Sequence, residues 1–141
     1  MGHQNRMATR SIIGKQNPDN TITFIYCHFD GYPSAAGQTL IHNYKTEAYV
    51  DELLHLGDLS VLGKYLGEPQ DFSDPVPGFC LAYGRDRGEV DCEAETIPYD
   101  DFFKHDLRGE DYKYLFVDNN WLCFDHKGNP IKLVSTEPAQ N

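Results

Sequence analysis

The stretch YCHFDGYP, residues 26–33, carries a thiol, an imidazole, a carboxylate and two phenols, all groups that can do chemistry. It closes a run of apolar and β-branched residues, and on a strand Cys27 and His28 point to opposite faces, which disfavours a thiol–imidazole pair. His28 and Asp30 could instead meet where the strand ends, because a carboxylate beside an imidazole fixes its tautomer in general-base pairs. Strand-end histidines and Asp-Gly turns also occur for structural reasons alone. The stretch therefore predicts either a His28–Asp30 catalytic pair or a strand end followed by a turn.

A second candidate stretch is AYGRDRGE, residues 82–89, in which two arginines flank an aspartate between glycines. Guanidinium groups are permanently charged, and their planar donors suit phosphate or carboxylate. Arg85 and Arg87 could therefore hold a nucleotide or another anion, and Tyr32 is predicted with them as a ligand-binding residue. The alternative, which the surrounding charge favours, is that both arginines pair with acidic residues between positions 86 and 91 and stabilise the loop.

Complete motifs for other chemistries are absent from the sequence. The six histidines and four cysteines show no recurring metal-ligand spacing. There is also no P-loop, dinucleotide fingerprint, nucleophile elbow or zinc-protease helix motif. The cysteines are far apart without a C-x-x-C pair, so we expect free and mostly buried thiols. We predict no metal and no cofactor, and the lack of a catalytic motif favours a binding protein over an enzyme.

The strongest global property of the chain is its charge, formally −10 at pH 7. A chain with this much negative charge is repelled by phosphate backbones and by anionic membranes. We therefore expect no direct binding of nucleic acid or membrane. An acidic surface can instead occupy a basic groove of another protein, in competition with nucleic acid. The acidic loop 67–78 is the predicted docking segment, with Glu68, Asp71 and Asp74 as protein-binding residues. A simpler alternative is that the acidic residues only keep the protein soluble.

The length of 141 residues is that of one domain. We expect a single α+β domain over residues 7–136, preceded by a tag or vector remnant at 1–6 and followed by a disordered tail at 137–141. The longest apolar runs fall short of the ~20 residues of a membrane helix, and no signal peptide is visible. These features predict a soluble, intracellular protein.

The first predicted supersecondary element is a β-hairpin that joins residues 9–16 to residues 21–29, both rich in β-branched and aromatic residues. They are separated by NPDN, in which Pro18 suits the second position of a type I turn. If this four-residue turn fixes the pairing, Ile13 lies opposite Phe24.

The helices are predicted in one block. A helix is expected over residues 34–44, a second from the cap Thr46 to Gly57, and a further helical turn over residues 58–66. The remaining elements are a strand at 79–83, a brief helix at 98–104, a second hairpin in which the tight turn DNN joins strands at 112–117 and 121–125, and a strand at 131–134. The pattern predicts an α+β fold: an antiparallel β-sheet built from hairpins, with a two-to-three-helix insertion packed on one face.

Four stretches, MATRSIIG, IYCHFDGYPSAAGQTL, LGDLSVLG and AYGRDRGE, resemble a group of small phage- and prophage-encoded bacterial proteins of unassigned function. The resemblance covers most of residues 7–121 and brings no catalytic residues. It implies a context, because small acidic accessory proteins of phages often act by binding host or defence proteins. It also implies the cytoplasm of a bacterial host cell as the location.

Two functional hypotheses remain open on this basis. In the first, the protein is a phage-type accessory binding protein that inhibits a bacterial host or defence protein by occupying its basic, nucleic-acid-binding site. In the second, it is a small nucleotide- or phosphate-binding protein, or a hydrolase. Arg85 and Arg87 then receive the anion, and His28 and Asp30 transfer a proton. The charge favours the first.

Overall fold

The computed structural model describes residues 8–104 and 106–135, so the predicted tag remnant at 1–6 and the predicted tail at 137–141 lie outside the described residues. Within this part of the chain, eight strands form one sheet. The strands are β1 (Ser11–Gln16), β2 (Thr21–Cys27), β3 (Leu59–Val61), β4 (Leu81–Ala82), β5 (Glu95–Pro98), β6 (Tyr112–Val117), β7 (Asn120–Asp125) and β8 (Pro130–Ile131). The helices are α1 (Gln38–Asn43), α2 (Glu47–His55), α3 (Tyr83–Arg87) and α4 (Tyr99–Lys104), and a π-helical turn (Pro33–Gly37) precedes α1.

The strand order is β4-β3-β2-β1-β6-β7-β8, and β5 pairs with the outer edge of β2. Most neighbours are antiparallel, which confirms the α+β class. The expectation of a purely antiparallel sheet is wrong, because β1 pairs with β6 and β2 pairs with β3 in parallel. Parallel neighbours require a long crossover, and the helical insertion between β2 and β3 provides one.

The β1–β2 hairpin forms as predicted, but its register differs by one residue. Ile13 pairs with Ile25 rather than with Phe24. The type I turn begins at Asn17, and Asn20 follows with a left-handed φ of 66°. A left-handed residue after a type I turn makes a three-residue hairpin loop with a bulge. That geometry moves every cross-strand pair by one position.

Two other elements form where local signals predicted them. In the β6–β7 hairpin, Asp118 and Asn119 have φ values of 50° and 62°, the conformation of a type I′ turn. At the start of α2, the side chain of Thr46 accepts a hydrogen bond from the backbone N–H of Tyr49 at 3.2 Å. After its end, Gly57 adopts a left-handed φ of 79°.

The helical turn predicted over residues 58–66 is wrong. Leu59 is buried and pairs with Cys27 of β2, so that this segment contributes β3 to the sheet instead. The spacing of its leucines fits a helix, but pairing with two strands distant in sequence decides the conformation. The short helix α3 and the strand β5 were not predicted.

Two apolar cores cover the two faces of the sheet. On the first face, α1 and α2 pack against the strands through the buried residues Leu40, Tyr44, Val50, Leu53 and Leu54. On the second face, α4 contributes Phe102, which lies among Ile12, Ile22, Phe24 and Leu115. The insertion thus covers one face, as predicted, while α4 covers part of the other. No helix within residues 8–104 and 106–135 is long and apolar enough to span a membrane.

Candidate functional site

His28 lies directly after β2 and forms a hydrogen bond with a tyrosine. Its Nδ1 is 2.6 Å from the hydroxyl oxygen of Tyr26, which lies two residues earlier on the same face of the strand. Cys27 points to the opposite face and is fully buried, and this burial raises the pKa of its thiol to about 12. Asp30, the predicted partner of His28, follows in a left-handed conformation with φ 57°. The structure thus gives the imidazole a phenol as its hydrogen-bond partner.

Arg85 is engaged by the protein itself. Its two terminal nitrogens donate to the carbonyl oxygens of Leu66 and Cys80, each at 2.8 Å, and its Nε donates to Asp86 at 2.9 Å. The Arg85 side chain is 15% exposed and that of Asp86 is fully buried. Burial opposes ionisation of Asp86, but hydrogen bonds from Arg85, Ala82 and neighbouring groups outweigh it and lower its pKa. Arg85 therefore forms the structural pairing that the surrounding charge favoured.

Arg87 lies at the surface between aromatic rings and an acid. Its guanidinium is 4.7 Å from the ring centre of Phe72 and 4.8 Å from that of Tyr83. These two rings stack on one another at 5.7 Å. The guanidinium also forms an ion pair with Glu89. Arg87 thus connects α3 to the acidic loop.

Tyr32, the third predicted ligand-binding residue, starts a different element. It is half-buried before the π-helical turn, and its carbonyl oxygen accepts a hydrogen bond from Ala35 at 2.9 Å. In the part of the chain that the structure describes, no hydrogen bond or ring contact joins Tyr32 to Arg85 or Arg87.

The acidic loop 67–78 is exposed but held in a defined shape. Glu68, Asp71 and Asp74 all face solvent, as their predicted role requires. The side chain of Gln70 organises the loop from within, because its oxygen accepts from the N–H of Val76 at 2.7 Å. Its amide nitrogen donates to the carbonyl oxygen of Cys80 at 3.0 Å, and to Asp86 at 3.3 Å. The loop is therefore fixed to α3 and to the residue before β4 by partly buried polar contacts.

A cleft of about 500 Å³ separates α2 from the start of this loop. Its apolar floor is formed by Leu56 and Leu66, and its rim carries the exposed Asp51, Glu52 and His55. We call it the acidic cleft; Gly67 and Arg85 complete its lining.

The acidic surface continues past the other side of α2. The carbonyl oxygen of Cys92 lies 2.4 Å from the position of a Cβ on Gly57, so segment 92–94 packs against the end of α2. Ala94 lines a second cleft, of about 230 Å³, together with Asp51 and Lys15. The ammonium of Lys15 pairs with Asp51 and Glu47 of α2, each at 2.7 Å. Of the described acids around α2, Glu52 lines the acidic cleft without such a pair, and Glu68 follows directly after Gly67 of the same lining.

Sequence reasoning found the acidic loop but missed the contribution of α2. The signal was present, because Glu47, Asp51 and Glu52 recur at helical spacing opposite the buried residues of the same helix. Among the described residues, no group of three or more His, Cys, Asp or Glu side chains is arranged to hold a metal ion. Comparison with protein-family profiles, curated proteins and solved structures gives no match for the chain.

Proposed function

We propose that the protein is a phage-type accessory binding protein that inhibits a bacterial host or defence protein by occupying its basic, nucleic-acid-binding surface. The observation that carries the proposal is the acidic cleft, in which an apolar floor lies beneath a rim of carboxylates. The resemblance to phage and prophage proteins supports a bacterial partner.

The acidic cleft fits a lysine or arginine side chain of such a partner. These side chains have an aliphatic stem that packs on apolar surface and a charged head that stays at the rim. Leu56 and Leu66 offer the apolar surface, and Glu52 offers a carboxylate for the head. The positive charge of Arg85 does not oppose this binding strongly, because Asp86 neutralises it at 2.9 Å.

The surroundings of the cleft support binding of a protein rather than of an isolated cation. Tyr65 and Val76 are 53% and 42% exposed at the two ends of the acidic loop. Exposed aromatic and aliphatic groups beside charges are typical of interface centres and rims. The net negative charge of the chain adds long-range attraction for a basic partner, which raises the association rate.

The alternative hypothesis, a nucleotide- or phosphate-binding protein or hydrolase, draws no support from Arg85. Its nitrogens already donate to two backbone carbonyls and to Asp86. Binding of an anion near His28, without Arg85, is a separate hypothesis.

The test is capture of a partner on the immobilised protein from a nuclease-treated bacterial lysate, with identification of the captured protein. We expect a basic protein that is displaced by added nucleic acid and weakened by salt, because charge dominates the contact. The double variant Glu52→Gln with Glu68→Gln should lose this partner. Asp100→Asn, an exposed acid on α4 across the sheet, is the matched control and should retain it. A partner that binds the double variant as well as the unmodified protein would contradict the proposal.

A further inference from the structure

The second face of the sheet is only partly covered by α4, and beyond Phe24 its residues become polar. Tyr26 packs at the margin of the apolar core on this face. Because Cys27 pairs with Leu59, the residues on either side of each lie next to one another on β2 and β3. This places Tyr26 and His28 beside Asp58 and Ser60.

Further side chains complete the polar region. Tyr83 forms a hydrogen bond with Ser60, and burial raises the pKa of Tyr83 despite it. Arg108 lies 6.0 Å from the ring centre of Tyr26. We call this region the polar patch; its members are Arg10, Tyr26, His28, Asp58, Ser60, Tyr83 and Arg108.

The one acid of the polar patch, Asp58, is paired with a guanidinium. Asp58 is almost fully buried, and its carboxylate accepts from the backbone N–H of Tyr26 at 3.0 Å and from Arg108 at 3.3 Å. Burial raises the pKa of Asp58, although these two hydrogen bonds act against the shift. Arg108 also pairs with Glu95. One guanidinium thus faces two carboxylates and offsets only part of the negative charge that would repel an anion here.

The neutral Tyr26–His28 pair keeps one proton that its internal hydrogen bond does not use. When the phenol donates to Nδ1, the neutral imidazole carries its proton on Nε2; when Nδ1 donates, the hydroxyl proton of Tyr26 is free to point outward. Either arrangement offers a hydrogen-bond donor to a ligand.

Arg10 adds a charge that the fold does not use. Within residues 8–104 and 106–135, its guanidinium takes part in no hydrogen bond or ion pair. Arg10 is exposed, and its charge acts to lower the pKa of Tyr26 against the larger effect of burial, which raises it. The register of the β1–β2 hairpin supports this placement: Ile12 pairs with Tyr26 and Ser11 with Cys27, so Arg10, the next residue outward, extends toward His28.

We propose that the polar patch binds an oxyanion, the phosphate or carboxylate group of a small molecule. Arg10 supplies the charge and the Tyr26–His28 pair supplies a donor, the combination that gives charge-assisted hydrogen bonds. The net charge of the whole chain opposes this weakly, since charges farther than about 8 Å are largely screened at physiological salt. The carboxylate of Asp111 also lies near Arg10, because it accepts a hydrogen bond from the backbone N–H of Arg10 at 3.0 Å. This negative charge opposes an anion, so we expect affinity in the millimolar range.

The test is an NMR titration of the full chain at constant ionic strength, which follows the ring resonances of His28 and the amide of Tyr26. The probes are inorganic phosphate, acetate, adenosine monophosphate and neutral adenosine. We expect saturable shifts with phosphate or acetate. Tighter binding of the nucleotide than of phosphate would assign the oxyanion to a nucleotide, and the reverse order to a smaller ligand. Equal shifts with sodium chloride, or equal binding of adenosine and its monophosphate, would overturn the proposal.

Variants separate the polar patch from general charge effects. Arg10→Gln should weaken binding about tenfold, the loss of one charge-assisted contact. Lys127→Gln removes the same charge from the turn between β7 and β8 and should change binding less than about twofold, since exposed distant charges are screened. Tyr26→Phe keeps the ring beneath Arg108 but removes the hydroxyl, and it should also weaken binding. Equal binding by the Arg10 and Lys127 variants would refute the assignment, whatever the outcome for the acidic cleft.

Discussion

Asp86 anchors the acidic loop, and Asp86→Asn should release it. One carboxylate oxygen accepts from the backbone N–H of Gln70 at 3.3 Å and from Nε of Arg85 at 2.9 Å. The other accepts from the side chain of Gln70 at 3.3 Å, from the N–H of Ala82 at 2.8 Å and from Arg85 at 3.1 Å. Asparagine retains one acceptor oxygen only. Its amide group would then face at least two N–H donors with no acceptor.

The magnitude follows from those two lost contacts. A hydrogen bond to a charged group contributes about 1.5–3 kcal/mol and a neutral one about 1 kcal/mol. Breaking a buried ion pair by removing one partner costs about 3–5 kcal/mol, and the slight exposure of Arg85 places the expected loss at the lower end. We expect the free energy of unfolding to fall by about 3 kcal/mol, a large share of the roughly 5–15 kcal/mol of a typical domain.

The effect should depend on pH with a definite sign. The folded-state pKa of Asp86 is lowered, so its contribution is present above the unfolded value of about 3.9 and is lost as the pH falls through the folded value. The difference between Asp86→Asn and the unmodified protein should therefore narrow below about pH 4.

Urea unfolding followed by the fluorescence of Trp121 measures this difference. Trp121 is 8% exposed and its indole N–H donates to the carbonyl oxygen of Tyr44 at 2.8 Å, so its emission reports loss of the core. The control is Asp74→Asn, an exposed acid of the same loop, which should change stability by less than about 0.5 kcal/mol. If the two variants were equally stable at pH 7, or if their difference did not narrow at all as the pH falls from about 5 to about 2, the assigned role of Asp86 would be wrong.

Two further predictions concern the backbone and the thiols. Gly57→Ala should cost about 3 kcal/mol in thermal or urea unfolding, because Gly57 has φ 79° and its Cβ would lie 2.4 Å from the carbonyl oxygen of Cys92. Gly88→Ala has a similar φ of 73° with no atom within 4 Å, so it should cost only about 1 kcal/mol, and equal losses would contradict the steric argument. Cys27 is buried with a thiol pKa of about 12, so its alkylation by iodoacetamide at pH 8, measured by mass spectrometry, should require unfolding. Rapid labelling of Cys27 in the folded protein would show that it is accessible.

The elements that were predicted from the sequence are those that neighbouring residues determine. The cap at Thr46, the left-handed Gly57 and the two-residue turn at Asp118 and Asn119 each depend on contacts within a few positions. The interactions that determine these conformations lie within a few residues of each other, so the local sequence is enough to predict them.

The elements that were mispredicted depend on partners distant in sequence. Leu59 has helical spacing with its neighbours, but it lies in a strand because β2 offers an unpaired edge at Cys27. The hairpin register failed for a different reason. It was decided by the conformation of one residue, Asn20, and asparagine is compatible with both left- and right-handed φ.

The candidate sites follow the same division. The exposure of Glu68, Asp71 and Asp74 is predictable, because a proline-rich acidic loop that was buried would leave polar backbone groups and charges without partners. The partners of Arg85 are not, because the carbonyl of Leu66 becomes its acceptor only when the loop folds back onto α3. The hydrogen bond between Tyr26 and His28 was not predicted, although strand alternation places both side chains on one face.

The distribution of cationic side chains explains how one small acidic domain can offer one surface for a cationic partner and another for an anion. Lys15 pairs with two acids of α2 at 2.7 Å, Arg85 with Asp86, and the buried Lys113 with a glutamate at 3.6 Å. Cations used in this way stabilise the fold and are not free to attract a ligand. Exposed acids remain around α2 on the first face of the sheet, such as Glu52, and on α4 on the second face, such as Asp100. Arg10, on the second face, is an exposed cation outside these pairs. Because Tyr83 of the polar patch stacks on Phe72 of the acidic loop at 5.7 Å, a basic protein bound at the loop and an oxyanion bound at the patch would lie next to one another.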